Sequence, residues 1–142
     1  MIFGWVIAVN LLMNILLDTH VLLWFSGEPD KLSDTARDAL VDNDNRLLIS
    51  TVSVWEIQIK QQLGKLQLDE TLDVIISDQQ KTNGMDVLPI ELSHIYALQH
   101  LRNYHKDPFD RLLIAQAQIE NITLMSADEL IHYYNEIVEV LW

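Results

Sequence analysis

Four acidic residues lie where a carboxylate can take part in chemistry, either directly after an apolar run or near the start of a predicted helix. They are Asp18, Glu56, Asp110 and Asp128. If carboxylates gather, each pair ~4 Å apart repels by about 4 kcal/mol at an effective dielectric constant near 20. Such a cluster must take up protons or bind cations, and all-oxygen ligands suit Mg²⁺ or Mn²⁺ rather than zinc. One or two of these ions can activate water for attack on a phosphodiester.

A parallel sheet would bring the four acids to one edge. Residues 15–17 are apolar and run into Asp18, which is typical of a strand buried on both faces of such a sheet. The carboxyl ends of parallel strands share an edge with the starts of the helices that follow them. Asp18 and Asp128 can therefore meet although they lie 110 positions apart in the sequence.

Each acid also has a purely structural interpretation. Asp18 and Asp128 are suited to cap the helices that follow them. Ser53 and Glu56 match a capping box, and Asp107 and Asp110 show a similar spacing. The spacing by itself leaves both interpretations open.

Strand-like and helix-like segments alternate along the chain. Predicted strands cover residues 14–17, 46–50, 85–89, 121–125 and 137–141, and predicted helices cover 21–25, 34–43, 53–64, 71–82 and 92–103, with two more starting at Pro108 and after Asp128. In the helix over 92–103, the side chains expected to face the core are Leu92, Ile95, Tyr96 and Leu98. This alternation predicts an α/β fold with a mainly parallel sheet.

Composition narrows the class of protein. The chain has 142 residues, 49% of them hydrophobic, which suits one globular domain. It has no cysteine, which excludes disulfides and cysteine-based sites and makes a reducing cytoplasm the expected compartment. The net charge of -12 argues against a broad electrostatic grip on nucleic acid and favours a basic partner. The basic residues Arg102, Lys106 and Arg111 nevertheless cluster next to Asp110.

The first 17 residues carry no charge. They are fewer than the ~20 that a spanning helix needs, they include Asn10 and Asn14, and they lack the basic start of a signal peptide, so no membrane association is expected. Met13 is a plausible start. We therefore predict an apolar extension or mis-assigned start over residues 1–12 and a single domain over 13–142.

Taken together, the segments around the four acids resemble the four motifs of PIN-domain proteins, and more narrowly those of the VapC-type toxins of bacterial toxin–antitoxin pairs. The segments are residues 13–24, 53–60, 105–117 and 124–128, and the resemblance covers residues 13–142. Each motif alone is weak, but all four in this order are specific. The resemblance implies a three-layer α/β/α fold with a mainly parallel central sheet.

The resemblance also implies an activity and partners. It implies a metal-dependent endoribonuclease that is blocked by a cognate antitoxin, forms a homodimer and joins a toxin–antitoxin hetero-oligomer. Asp18, Glu56 and Asp110 carry over as catalytic ligands of Mg²⁺ or Mn²⁺, and Asp128 carries over as the fourth. Ser126 stands where the family often has Ser or Thr near the site.

Lys106 and Arg111, with Ser126, are the predicted contacts to RNA, and Arg111 is also placed to hold a carboxylate. The alternative for the basic residues is ordinary surface exposure. Lys60 is interpreted as a solvated helix end, and His20 as a helix-start residue that packs locally. Two alternative functions are an inactive PIN-like binding module and a metal-dependent phosphatase-like α/β domain. Phosphatases of the haloacid-dehalogenase kind need a second aspartate where His20 stands.

Overall fold

Within residues 12–142, which the computed structural model describes, five strands form the central layer of the protein. They are β1 (Asn14–Leu17), β2 (Arg46–Ser50), β3 (Asp86–Leu88), β4 (Thr123–Met125) and β5 (Val140–Leu141). Their spatial order is β3-β2-β1-β4-β5, and every neighbouring pair is parallel. The predicted α/β fold is confirmed, with a sheet that is parallel throughout.

Helices pack on both faces of this sheet. They are α1 (Thr19–Gly27), α2 (Asp34–Val41), α3 (Thr51–Gln62), α4 (Leu72–Asn83), α5 (Leu92–Ala97), α6 (Pro108–Glu120) and α7 (Glu129–His132). Short 3₁₀ turns follow α1 at Pro29–Lys31 and α5 at Leu98–His100. The arrangement is the three-layer α/β/α fold that the resemblance implies.

Strand β1 is buried on both faces, as its apolar run predicts. Ile15 and Leu17 pack into the core beneath α1, α2 and α4. Leu16 points to the other face and packs with α6 and α7. Because successive side chains of a strand alternate between faces, three consecutive apolar residues bind both helical layers to the sheet.

The order of the strands places a crevice beside β1. From β1 the chain adds β2 and β3 on one side, and it then returns to add β4 and β5 on the other side. In open α/β sheets, ligands bind at such a reversal, outside the carboxyl ends of the strands. The backbone N–H of Asp18 donates to the carbonyl of Met125 at 3.0 Å, so β1 and β4 stay paired up to this point.

Helix α3 begins earlier than the sequence predicts. Its N-cap is Ser50, the last residue of β2, whose hydroxyl accepts the N–H of Val52 at 3.0 Å. Ser53 therefore lies inside the helix, and the alternative interpretation of Ser53 and Glu56 as a capping box is wrong. The physical reason is that β2 turns directly into α3, so the capping residue is the end of the strand itself.

The orientation predicted for the helix over 92–103 is wrong for three of its four side chains and holds for Leu98, which is partly buried against the core. Leu92, Ile95 and Tyr96 are 64%, 44% and 58% exposed. The buried side chain is His94, whose Nε2 lies 2.9 Å from Oε2 of Glu120 on α6. The helical part ends at Ala97, because the chain tightens there into a 3₁₀ turn.

The predicted extension over residues 1–12 lies outside the described residues, apart from the exposed Leu12. In the part of the chain that the structure describes, none of the helices has the length and apolar character needed to cross a membrane.

Candidate active site

The four predicted acids lie at the carboxyl edge of the sheet, on both sides of the strand reversal. Asp18 directly follows β1, and Asp128 follows β4 after a short turn. Glu56 lies in the second turn of α3, and Asp110 lies in the first turn of α6. Hydrogen bonds, together with the effects of these acids on one another's pKa, connect them into one group.

Asp18 is almost fully buried, with 3% of its surface exposed. Its Oδ1 accepts the N–H of Val21 at 2.9 Å, so it caps α1. Burial raises the pKa of Asp18, and the negative charge of Asp128 adds to the rise. Hydrogen bonds from Ser126 and Val21 oppose this rise in pKa without cancelling it. The capping and the functional interpretation of Asp18 are therefore compatible.

Glu56 is 2% exposed, and both of its carboxylate oxygens have partners. Oε1 lies 2.7 Å from the hydroxyl of Thr19, and Oε2 lies 2.6 Å from Nζ of Lys60. The Thr19 hydroxyl also lies 3.0 Å from that of Ser53. Because a hydroxyl has one proton and a carboxylate only accepts, Thr19 donates to Glu56 and Ser53 donates to Thr19. Glu56 is thereby held against the residue that follows Asp18.

Lys60 is the basic group directly bound to this part of the site. Burial on its own would lower the pKa of Lys60, but the hydrogen bond and charge of Glu56, with the charges of Asp107 and Asp110, raise it above its usual value. Lys60 is therefore a cation beside the acids rather than the solvated helix end that the sequence suggests.

The surroundings of Asp110 also oppose its ionisation. Burial, followed by the charges of Asp107, Asp18 and Glu56, raises its pKa from 3.8 to about 7 against the lowering effect of His105. Asp107 is the N-cap of α6, and its Oδ1 accepts the N–H of Asp110 at 3.2 Å. Three neighbouring acids thus raise the pKa of Asp110.

Asp128 and Asp110 meet at one imidazole nitrogen. Nε2 of His105 lies 3.0 Å from Oδ2 of Asp128 and 2.9 Å from Oδ2 of Asp110. Oδ1 of Asp128 accepts the N–H of Leu130 at 2.9 Å, which caps α7. The backbone N–H of Asp128 donates to the buried hydroxyl of Ser126 at 3.0 Å. Ser126 therefore connects Asp128 to Asp18.

The sequence interpretation missed two residues of this network, His105 and Thr19. Thr19 bonds to Glu56 and His105 bonds to Asp128, and each pair lies more than 20 positions apart, so no local pattern in the sequence indicates these bonds. His105 also bonds to Asp110, which is close to it in the sequence. His20, by contrast, lies at the start of α1 as expected. It is exposed, and its ring centre lies 5.8 Å from that of Trp24.

The three residues predicted to contact RNA have different surroundings. Lys106 is exposed. Arg111 donates through its guanidinium to three backbone carbonyls, those of Leu101, Arg102 and His105, at 3.3, 3.0 and 3.0 Å. Ser126 is fully buried and bonds to the neighbouring acids. Contact of these residues with RNA stays a prediction. In the structure, Arg111 and Ser126 form hydrogen bonds to other groups of the protein.

The donor set fits a hard divalent cation. It consists of four carboxylates, and the pKa values of two of them are raised because they are buried near other negative charge. A cation that binds these oxygens would offset both the burial of the carboxylates and the repulsion between them. Mg²⁺ and Mn²⁺ prefer oxygen donors of this kind. Among the described residues, His105, Asp110 and Asp128 each place one possible ligand atom within 4.8 Å of the others, and Asp18 and Glu56 are not in that group.

The chain matches one family model and resembles several known proteins. The PIN domain family model matches residues 15–136. A curated relative, ribonuclease VapC22 of Mycobacterium tuberculosis, is 27% identical over 116 residues, which is 81% of this chain and 87% of the relative.

Solved structures show the same fold at low sequence identity. VapBC2 from Rickettsia felis, bound to a DNA fragment from its promoter, has a TM-score of 0.66 at 16% identity and covers 91% of this chain and 98% of its own. VapBC-1 from nontypeable Haemophilus influenzae has a TM-score of 0.62 at 15% identity, with 91% and 97% covered.

Proposed function

The chain belongs to the PIN-domain family, and from that premise we propose that it is a metal-dependent endoribonuclease and the toxin of a toxin–antitoxin pair. The observation that carries the proposal is the connected group of Asp18, Glu56, Asp110 and Asp128, with the pKa of Asp110 raised to about 7. The nuclease domain comprises residues 13–142, and its expected compartment is the cytoplasm. The relative named ribonuclease VapC22 supports the same activity.

The four acids would hold the cation, Mg²⁺ or Mn²⁺. When bound, this cation supplies a Lewis acid that activates water and offsets negative charge at the phosphodiester. The chain's own residues fix the carboxylates in advance: Val21 orients Asp18, while Thr19 and Lys60 orient Glu56. Such preorganisation spares the site a reorganisation cost during the reaction.

An RNA cleavage assay with added Mg²⁺ or Mn²⁺ tests this activity. Asp18→Asn should abolish cleavage, because it removes a buried carboxylate of the group while keeping a side-chain oxygen to cap α1. The matched control is Asp38→Asn, which removes one charge from an exposed position on α2. Cleavage at the wild-type rate by the Asp18→Asn protein would contradict the site. A wild-type protein that folds, binds the metal and cuts no RNA would favour an inactive binding module.

For the antitoxin, we propose a partner segment that is partly basic and partly apolar. An open groove of about 450 Å³ lies between the end of α1, the chain over residues 66–70, and α4. Its lining includes four apolar and four acidic side chains, which are Leu23, Leu66, Leu68 and Ile75, and Glu28, Asp69, Glu70 and Asp78. This combination suits an amphipathic helix with Lys or Arg beside its apolar face. The VapBC toxin–antitoxin structures support a protein partner of this kind.

Co-purification with the product of an adjacent small gene tests the partner. Reversing the groove charges with Asp69→Lys and Asp78→Lys should weaken capture of a basic segment. Asp38→Lys, which makes the same change on α2, should leave capture intact. Equal capture by both proteins would place the partner elsewhere.

We also propose that the protein forms a homodimer, which joins the antitoxin in a hetero-oligomer. The exposed apolar side chains of α5, Leu92, Ile95 and Tyr96, support a self-association surface. Light scattering coupled to gel filtration should show a dimer that Tyr96→Glu weakens. A monomeric wild-type protein at micromolar concentration would contradict this part of the proposal.

A further inference from the structure

We propose that His105 is a positioning residue, which holds Asp110 and Asp128 together by donating one hydrogen bond from Nε2 to both. The inference rests on the proposed function in one respect, because it takes these two acids as metal ligands. It concerns a residue to which the resemblance assigns no role, and it is carried by the hydrogen bonds on both ring nitrogens.

The first ring nitrogen is fixed as an acceptor. Nδ1 of His105 lies 3.2 Å from the backbone nitrogen of Asp107, whose N–H donates to it. Asp107 is the N-cap of α6, so its N–H has a fixed direction at the start of that helix. A proton on Nδ1 would place two N–H groups against each other, and Nδ1 therefore holds a lone pair.

The second ring nitrogen must then carry the proton. Nε2 faces Oδ2 of Asp110 at 2.9 Å and Oδ2 of Asp128 at 3.0 Å, and both oxygens are acceptors. One N–H shared between two carboxylates brings α6 and α7 together at the site, against the repulsion between the acids. His105 is 7% exposed, so water competes little for this bond.

This arrangement argues against His105 as a metal ligand. Ligation through Nε2 needs a lone pair on that nitrogen. The proton would have to move to Nδ1, where it would meet the N–H of Asp107. The geometry therefore assigns His105 to the orientation of Asp110 and Asp128, which keep their remaining oxygen lone pairs for a cation.

The backbone of His105 is braced on two sides, which makes the imidazole a rigid support. Its N–H donates to the hydroxyl of the buried Tyr134 at 2.9 Å, and that hydroxyl donates to the carbonyl of Arg102 at 2.6 Å. Arg111 donates to the carbonyls of His105 and Arg102, each at 3.0 Å. Arg111 thus acts on the site through the loop that carries His105.

The tautomer can be read in the metal-free protein by long-range ¹⁵N–¹H NMR of the histidine rings. His105→Leu identifies the signals of His105 by their disappearance. We expect a proton on Nε2 and none on Nδ1, and the same pattern after Mg²⁺ is added. A proton on Nδ1 in the metal-free protein would overturn the proposal, as would loss of the Nε2 proton when Mg²⁺ binds.

Mn²⁺ binding, measured by calorimetry, tests what the bridge does. His105→Leu should weaken binding roughly 10–100-fold, the range typical of residues that orient metal ligands. His105→Gln should bind Mn²⁺ more tightly than His105→Leu, because its amide can return an N–H donor to the two acids. Equal binding by His105→Leu and wild-type protein, or by the two variants, would overturn the proposal.

Two controls separate this inference from other causes. His20→Leu removes an exposed imidazole near Asp18 and should leave Mn²⁺ binding unchanged, and thermal unfolding shows whether each variant is folded. A wild-type protein that binds no Mn²⁺ would contradict the proposed function. The NMR experiment on the metal-free protein would then still decide the tautomer and the bridge.

Discussion

Replacing Asp110 by Asn should stabilise the metal-free protein at neutral pH, although it removes a proposed metal ligand. Asp110 is mostly buried, with 18% of its side chain exposed, and it lies near Asp107, Asp18 and Glu56. Its ionised form is therefore unfavourable in the folded state. An Asn side chain carries no charge and still offers an oxygen that accepts the N–H of His105.

The magnitude follows from the pKa of Asp110. In the unfolded chain this carboxyl titrates near 3.8, and in the folded protein burial and neighbouring acids raise its pKa to about 7. Between pH 4 and 7 the folded state holds more protons than the unfolded state, so the free energy of unfolding falls as pH rises. The full difference corresponds to about 4 kcal/mol. In Asp110→Asn the free energy of unfolding should not fall in this way, and near pH 4 it should equal that of the wild-type protein.

Urea unfolding across pH 4 to 8 with a chelator present measures this difference. Asp38→Asn is the control, because it removes one exposed charge from α2. Mg²⁺ at a hundredfold excess over its Kd should stabilise the wild-type protein by about 2.7 kcal/mol at pH 8, and Asp110→Asn much less. A metal-free Asp110→Asn protein that is less stable than wild type at pH 8, or a difference in stability that is the same at pH 4, would contradict this prediction.

Three other predictions follow from particular contacts. Lys60→Met should lower the free energy of unfolding, measured in urea at pH 7, by about 1–3 kcal/mol, because it leaves Oε2 of the buried Glu56 without its donor. The control is Lys65→Met, which changes an exposed position and should lower the free energy of unfolding little. Lys106→Ala should lower the salt slope of RNA binding by cleavage-dead protein by about 0.7 if this exposed lysine meets a phosphate, and an unchanged slope would make it ordinary surface. Asn121→Val should lower the free energy of unfolding by at least about 1–2 kcal/mol, because φ at this C-cap of α6 is 55°, in the left-handed region. Asn121→Gly should leave the free energy of unfolding nearly unchanged, and equal losses in the two variants would contradict this prediction.

Elements whose signals lie within a few neighbouring residues could be predicted from the sequence alone. The apolar run before Asp18 identified a strand buried on both faces, and the structure places Ile15 and Leu16 in opposite cores. The limits of β2, Arg46–Ser50, matched the prediction residue for residue. Ser33 precedes the predicted helix over 34–43 and caps α2, with its hydroxyl 3.0 Å from the nitrogen of Ala36. These features depend on neighbours within a few positions, so the sequence shows them directly.

Signals of equal local strength were misleading where a distant contact decided the result. Ser53 has the spacing of a capping residue, but its hydroxyl lies inside α3 and bonds to Thr19 from another helix. The helical period of α5 marked an apolar face, yet that face is exposed and His94 is buried against Glu120. Periodicity identifies the faces of a helix, and packing against the neighbouring helix decides which face is covered.

In the candidate site, the acids could be predicted from the sequence, whereas their hydrogen-bond partners could not. Asp18, Glu56, Asp110 and Asp128 were chosen from the sequence because each follows a strand or lies near the start of a helix, and a parallel sheet gathers such positions at one edge. The partners of these acids were decided only by the tertiary structure. His105 reaches Asp128 across 23 positions and Thr19 reaches Glu56 across 37, because α3, α6 and α7 converge on the ends of β1 and β4. A hydrogen bond of this kind depends on where two helices dock, and that docking is a property of the whole core rather than of either segment.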